Sequence, residues 1–287
     1  MINKSLRGLK VNSMDKENSS LNSHHSSLKV VLVTGGAGEI GSAICKTFAE
    51  NGYSVIATYN SNTAKAERLL AELNVISESK TQHSSFITQH SIFHAPTTDA
   101  QKVEELKAFV AEKYGKLDVL VNNAGITTPV PHEDLEGLTD EWIDKIMQTN
   151  FRGSFAMCRA MKEVLENSSL IANHSSLIVN ISSIAGIYGI GSNVAYCASK
   201  AAIDSMTRSL ARALAPKIRV VSVSPGFVEG EYTKNFDQQF LQNQRDNTPL
   251  GRFATGSDVA QSVFALATSL TFTTGTILTV DGGRLLK

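Results

Sequence analysis

The sequence predicts an α/β fold: a single doubly wound domain whose seven-stranded parallel sheet is covered by helices on both faces. Three observations predict it. From Lys29 onward, short runs rich in Val, Ile and Leu alternate with longer amphipathic stretches. The first run ends in a glycine-rich turn, Thr34-Gly35-Gly36-Ala37-Gly38-Glu39-Ile40-Gly41, which opens an amphipathic stretch. The chain of 287 residues, 42% hydrophobic, is long enough to bury one large core.

The apolar runs place strands near 30–34, 54–59, 86–94, 118–122, 177–182, 218–224 and 276–280. Helical periodicity falls on 40–51, 99–114, 141–166, 194–215 and 258–267. The polar stretches 77–85 and 167–176 are longer than such a fold requires and read as loops. Residues 1–28 are rich in Ser, Asn, Lys and His without an apolar period, so a disordered tail is expected there and a folded domain over 29–287. Right-handed crossovers between parallel strands bring every strand's C-terminal end to one edge, and a ligand crevice is expected along it.

Composition narrows the partners. Lys plus Arg and Asp plus Glu balance at 27 each, so no bulk charge favours nucleic acid or an anionic membrane. No apolar run approaches the roughly 18 residues of a membrane span, and the first residues lack the apolar stretch of a secretory signal; a cytoplasmic location is expected. Cys45, Cys158 and Cys197 are too few and too irregularly spaced for a disulfide framework or a zinc site. No metal is expected, and the three read as buried, reduced thiols.

A strand that runs through a glycine turn into a helix is the setting a dinucleotide needs. Gly35 permits a tight turn, Gly41 permits close packing, and the helix N-terminus offers free N–H groups to a pyrophosphate. Gly35, Gly38, Glu39, Ile40 and Gly41 are therefore candidate cofactor-binding residues. About 20 residues further on, an NAD site would carry an acidic residue for the ribose 2′-hydroxyl. Thr58-Tyr59-Asn60-Ser61 stands there instead, and no acidic residue occurs between Glu50 and Glu67. A 2′-phosphate would meet no repulsion, and Asn60 and Ser61 can donate to it. NADP(H) is the expected cofactor, with NAD(H) left open because no Arg stands at the strand end.

After the fifth strand comes Ser183, and thirteen residues later Tyr196-Cys197-Ala198-Ser199-Lys200 opens a helix. Residues four apart share a helical face, so Tyr196 and Lys200 project together. An ordinary tyrosine, with a pKa near 10, is a poor acid–base group at neutral pH; a neighbouring ammonium favours its ionised form and lowers that value. The Ser183 hydroxyl is suited to hold a carbonyl oxygen while Tyr196 supplies a proton.

On these motifs the chain resembles the short-chain dehydrogenase/reductase family, in particular its 3-oxoacyl-reductase-like members, from about Lys29 to the C-terminus. Thr34 to Gly41, Asn122-Asn123-Ala124-Gly125, Asn150, Ser183 with Tyr196 and Lys200, and Pro225-Gly226 carry the likeness. The resemblance implies a Rossmann-type domain and a catalytic tetrad of Asn150, Ser183, Tyr196 and Lys200. It implies that Tyr196 is the general acid in reduction, that Lys200 binds the nicotinamide ribose, and that Asn150 holds a water of the proton relay. It also implies that Asn123, Ala124 and Gly125 line the adenosine side, and that Pro225, Gly226 and Val228 approach the nicotinamide. The expected reaction interconverts a ketone and a secondary alcohol, on a small-molecule substrate, in a homodimer or homotetramer.

The sequence departs from the family at three places. Glu39 stands where a glycine is usual, and its side chain is expected to turn toward solvent. Pro96 stands where many relatives have an Asp beside the adenine. Gly230 replaces a Thr five residues past Pro225, with Thr233 as a candidate substitute. Residues 227–248 are expected to form a lid rich in Phe. Trp142 and Phe151 are expected in the core, and His132 at the surface. Glu163 and Glu166 have the wrong sign for docking an acidic carrier protein, which counts against a carrier-dependent acyl reductase. Two further readings remain: an NAD-dependent alcohol or sugar dehydrogenase, and a protein that binds NADP without turnover.

Overall fold

The structure is a computed structural model that describes residues 28–81, 88–172, 174–231, 233 and 236–286. The expected tail, apart from Leu28, and Tyr232 of the expected lid lie outside the described residues.

Seven strands form one sheet: β1 (Lys29–Val33), β2 (Tyr53–Tyr59), β3 (Ser91–His94), β4 (Val119–Asn122), β5 (Ser176–Ile181), β6 (Ile218–Pro225) and β7 (Ile277–Val280). The order is β3-β2-β1-β4-β5-β6-β7, and every pair is parallel. The order reverses between β1 and β4, and the crevice beyond their C-terminal ends is where such a sheet takes a ligand.

Alternate residues of β1 face opposite sides, as the period of a strand requires. Val31 and Val33 pack with Ile44 and Phe48 of helix α1 (Glu39–Glu50) and with Val259 and Val263 of the last long helix (Gly256–Thr268). Val30 and Leu32 pack on the other face, with Leu106 and Val110 of α3 (Ala100–Tyr114) and with Met157 and Met161. The remaining helices are α2 (Thr63–Thr81), α4 (Asp140–Ile146), α5 (Ser154–Ala172), α6 (Ala185–Tyr188), α7 (Val194–Leu214) and α8 (Gln238–Asp246), so the one from Gly256 is α9.

Several boundaries differ from expectation. Residues 141–166 are not one helix: a π-helical turn, Met147–Gly153, separates α4 from α5 and carries Asn150. Gly153 permits it, because a Cβ there would stand 2.4 Å from Thr97 Oγ1. β3 begins at Ser91, not near 86. Upstream of it, side chains replace the ladder: Gln89 N–H donates to Ser54 Oγ at 3.1 Å and Val55 N–H to His90 Nδ1 at 3.2 Å. The expected loop at 77–85 is helical through Thr81, with Ser77 Oγ 2.6 Å from His90 Nε2. The expected loop at 167–176 is helical through Ala172, because buried Ser168 donates to Asp118 Oδ1 at 2.6 Å. Trp142 and Phe151 are half-buried and not core residues, and Lys145 Nζ lies 4.9 Å from the centre of the Trp142 ring.

Candidate active site

The glycine turn is built by backbone contacts. Gly35 has φ +61°, in the left-handed region, and a Cβ there would meet Ala124 Cα at 3.1 Å. At Gly41 a Cβ would stand 2.4 Å from the Gly35 carbonyl oxygen and 2.8 Å from Asn123 Nδ2, so only glycine fits. Gly36 N–H donates to Thr58 O at 2.9 Å, which seats the turn on β2. Gly38 is the N-cap of α1, with no side-chain hydrogen bond. The turn therefore has what a pyrophosphate needs, an exposed helix N-terminus and a cradle free of side chains. Ile40 packs partly against the core.

Glu39, beside this N-terminus, is exposed as expected, yet it has a neighbour. A Cβ at Gly230 would lie 2.9 Å from Glu39 Cγ and Cδ, so the carboxylate arm occupies the space a larger residue at 230 would fill. Thr233 bonds the backbone of Gly230: its hydroxyl donates to Gly230 O at 2.7 Å and accepts from Gly230 N–H at 3.2 Å.

Asn60 and Ser61 are exposed at the end of β2. The Asn60 carbonyl lies 2.7 Å from His94 Nε2. Lys65, at the start of α2, pairs with Glu231 of the lid segment at 2.5 Å. Asn123 braces the turn, donating to Thr34 O at 3.0 Å and Gly35 O at 3.1 Å, and Ala124 N–H donates to Thr34 Oγ1 at 3.0 Å. Gly125 stands next to the candidate catalytic residues. A Cβ on it would stand 3.4 Å from Asn150 Oδ1 and 3.6 Å from Lys200 Nζ.

Tyr196 and Lys200 share one face of α7, with Lys200 Nζ 5.6 Å from the tyrosine ring centre. Lys200 is buried, its ammonium donates to Ile181 O at 2.8 Å, and burial pulls its pKa from the ordinary 10.5 to about 8, against the opposing pull of Asp204. Ser183 stands just past β5, half-buried, its Oγ accepting from Ala185 N–H at 3.1 Å at the start of α6. Asn150 is nearly fully buried. Its Oδ1 accepts from Ile126 N–H at 2.8 Å, and its Nδ2 donates to Ile126 O and Ser199 Oγ, each at 3.0 Å. The amide thus braces the Gly125–Ile126 loop against α7, and the Asn150 main-chain carbonyl accepts from Ser154 Oγ at 2.7 Å.

Two positioning residues escaped the sequence reading. Asn193 caps α7, accepting from Tyr196 N–H at 2.7 Å, and donates to Thr128 O at 2.7 Å. An Asn three residues before the first catalytic candidate was the available signal. Ser199 bridges Tyr196 O and Asn150, and nothing in its sequence setting marked it.

On the far wall, Gly226 N–H donates to Val280 O at 3.0 Å, and a Cβ on Gly226 would meet Asp281 Cα at 2.9 Å. Pro225 O accepts from Ile184 N–H at 3.1 Å, which ties this turn to the segment carrying Ser183. Val228 forms a bridge with Ala254. The aromatic residues of the 227–248 segment cluster with one another and with Phe253: Phe227 lies 4.8 Å from Phe253 and 6.0 Å from Phe236, and Phe236 stacks on Phe240 at 5.1 Å, between ring centres. His132 is half-buried, its Nε2 3.1 Å from Gly191 O. All three cysteines are free and buried, and burial pushes the Cys158 thiol up to about 12. Among the described residues no cluster could hold a metal ion, and no helix is long and apolar enough to cross a membrane.

A seven-stranded doubly wound sheet with a glycine turn after β1 and a Ser–Tyr–Lys group at the ends of β5 and α7 defines a dinucleotide-dependent oxidoreductase. The chain belongs to the short-chain dehydrogenase/reductase family and is 3-oxoacyl-reductase-like. The family model described as enoyl-(acyl carrier protein) reductase matches residues 35–284. A 3-oxoacyl-[acyl-carrier-protein] reductase from Thermotoga maritima is 32% identical over 266 residues, covering 90% of this chain and 98% of its own. An NAD-dependent glycerol dehydrogenase from Listeria innocua is 32% identical over 262 residues, covering 90% and 94%. Among solved structures, the RhlG/NADP active-site complex of Pseudomonas aeruginosa matches with a TM-score of 0.79 and 27% identity over 91% of this chain and 98% of that one. A 3-ketoacyl-(acyl-carrier-protein) reductase from Brucella melitensis complexed with NADH matches at 0.76 and 29% identity, over 89% and 98%.

Proposed function

We propose that the protein is an NADP(H)-dependent oxidoreductase that interconverts a ketone and a secondary alcohol, with Tyr196 as the general acid and base. The observation that carries this reading is the buried Lys200 ammonium on the same helical face as Tyr196, 5.6 Å from its ring. When bound, the cofactor supplies or accepts the hydride. Gly35, Gly38, Ile40 and Gly41 would hold its pyrophosphate against α1, with Glu39 beside them, and Asn123 and Ala124 would brace the turn. Asn60 and Ser61 would face the adenosine ribose, and Gly125, Pro225, Gly226 and Val228 would flank the nicotinamide.

In reduction, the Ser183 hydroxyl donates to the substrate carbonyl oxygen and holds it beside Tyr196. Tyr196 gives its proton to that oxygen as negative charge develops there. The Lys200 ammonium stabilises the resulting tyrosinate, which is what brings a phenol into range for proton transfer near neutral pH. Asn150 keeps the loop at Ile126 and helix α7 in register, and its main-chain carbonyl offers a seat for the water that reprotonates the site. In oxidation the same groups run in reverse.

The lack of an acidic residue at the end of β2 supports NADP(H). The NADH complex of the Brucella reductase favours a second reading, in which this chain uses NAD(H). For the substrate, 3-oxoacyl thioesters lead, on the strength of the relatives; the charges of Glu163 and Glu166 are offset by neighbouring lysines and do not decide what bears the acyl group. Both are engaged with lysines, Glu163 with Lys107 at 3.7 Å and Glu166 with Lys162 at 3.0 Å. Assembly as a homodimer or homotetramer through α5 and α7 fits the apolar Phe155 and Val194 exposed on them. A cytoplasmic setting completes the reading.

The test is NADPH and NADH oxidation with a 3-oxoacyl thioester and with simple diketones, by wild type and Tyr196→Phe. Tyr196→Phe is expected to lower kcat by about 10²- to 10⁴-fold without loss of cofactor binding. Full activity in that variant would remove the proton-donor role. Binding of both nucleotides without turnover of any carbonyl would favour a sensing role.

A further inference from the structure

Asp204 is a buried carboxylate for which the proton relay above has no use. It lies on α7 one helical turn beyond Lys200 and is 3% exposed. Taking a carboxylate out of water is costly unless something repays it. Two serines beside it do so in part. Ser222 of β6 donates to Asp204 Oδ1 at 2.9 Å, and the Ser182 hydroxyl, at the end of β5, stands next to the carboxylate and lowers its pKa. The Ser182 hydroxyl itself donates to the Lys200 carbonyl oxygen at 3.1 Å. The carboxylate is thereby fixed between the strand that leads to Ser183 and the strand that leads to Pro225.

Around Lys200 the charges are few. On α7 they are Asp204 and Arg208, with the neutral phenol of Tyr196; the π turn contributes the neutral Asn150, β5 the Ile181 carbonyl, and β6 the neutral Ser222. Burial works against the ammonium, and among the described residues Asp204 is the anion that works for it. Without an ammonium, Tyr196 would return toward the ordinary range of a phenol.

We propose that Asp204 is a positioning residue for proton transfer, a fixed internal counter-charge that keeps Lys200 in its ammonium form beneath Tyr196. The inference rests on the acid–base reading of Tyr196 and Lys200 for its purpose, and on the cluster of Asp204, Ser182, Ser222 and Lys200 for its geometry. It carries a cost to match: the carboxylate's own pKa is raised by burial, and the two serines, Arg208 and Lys200 hold it down.

The test reads Lys200 directly. The Nζ and Cε resonances of isotopically labelled lysine are followed against pH in the full chain, with Lys200→Met providing the assignment. Asp204→Asn is expected to lower the Lys200 pKa by about one unit, the effect of losing one nearby opposite charge. Ser222→Ala, which keeps the carboxylate, is expected to shift it much less. The high-pH limb of kcat should move down with the lysine in Asp204→Asn, while cofactor affinity at pH 6 stays near wild type. An unchanged Lys200 titration in a folded Asp204→Asn protein would overturn the proposal. So would a carboxyl carbon shift showing Asp204 protonated at pH 7 in the wild type, a measurement that needs no variant to fold. If the lysine shifts and the kcat profile does not, the counter-charge stands, and the Tyr196–Lys200 relay is the part that fails.

Discussion

Glu39 lies along Gly230, so that a Cβ at 230 would stand 2.9 Å from both Cγ and Cδ of the glutamate. Two departures from the family pattern, a glutamate in the glycine turn and a glycine at 230, thus meet in the structure. The lid backbone passes close over α1 because residue 230 has no side chain, and the arm of Glu39 fills the gap. Gly230→Ala should push the flexible glutamate arm aside, not the backbone, so the melting temperature should change by no more than about 2–4 °C. The displaced carboxylate then turns toward the helix N-terminus and weakens dinucleotide binding by about tenfold. Adding Glu39→Gly to Gly230→Ala should restore binding. Fluorescence titration of NADPH against the two single variants and the double variant measures the coupling, and strictly additive effects would show that the two positions are independent.

Much of this site was legible because its signals are local. The turn from Thr34 to Gly41, the spacing of Tyr196 and Lys200, and the bare end of β2 are read from neighbours in sequence. What was not legible depends on distant partners. The π turn at Asn150 exists because Gly153 makes room for Thr97 and because Asn150 bonds Ile126, and helical periodicity alone runs through it unbroken. The late start of β3 reflects Ser54 and His90 side chains standing in for ladder bonds. The length of α5 reflects Ser168 meeting Asp118 across the fold. In each case a polar side chain decides the local structure through a partner that is distant in sequence.

Asn193 sets the position of the tyrosine. It caps α7 at Tyr196 N–H, and its amide also holds the loop at Thr128. Asn193→Ala should cost about 1 kcal/mol of stability as a lost N-cap and reduce kcat/KM by about 10- to 100-fold through misplacement of Tyr196. Asn193→Asp keeps the cap acceptor and loses the donor to Thr128, so it should recover the stability but not the activity. Urea unfolding midpoints alongside kcat/KM separate the two effects; recovery of activity together with stability in Asn193→Asp would assign Asn193 to helix capping alone.

Lys200 links catalysis to stability. Its folded pKa of about 8 lies below the ordinary 10.5, so the unfolded chain binds more protons between those values. Below pH 8 both states carry the charge, and burying it costs roughly 3 kcal/mol. As pH rises from 8 toward 10.5 that cost is relieved, and the contribution of this residue to stability improves. Lys200→Met should therefore be inactive, and its stability relative to wild type should be most favourable near pH 7 and decline toward pH 10. Unfolding free energies of both proteins at several pH values give the difference, and a difference flat in pH would contradict the buried ammonium.

The ion pair of Lys65 and Glu231, at 2.5 Å, joins the start of α2 to the segment after β6, near the end of β2. Both side chains are substantially exposed, 45% and 69%, so the pair adds little to stability and is screened by salt. Its consequence is electrostatic and local. Lys65 is the first cation after the end of β2, and while it faces Glu231 its charge is shared with a carboxylate. Replacing Glu231 with Gln leaves that charge for a 2′-phosphate and removes a negative neighbour. Glu231→Gln should tighten NADPH binding about two- to fivefold at low ionic strength and leave NADH nearly unchanged, with the difference shrinking as salt is added. Lys65→Met should weaken NADPH selectively. Parallel titrations with the two nucleotides at two salt concentrations decide it: equal responses to both would mean that the cofactor's 2′ position lies beyond the reach of Lys65, and that the absence of an acidic residue after β2 acts alone.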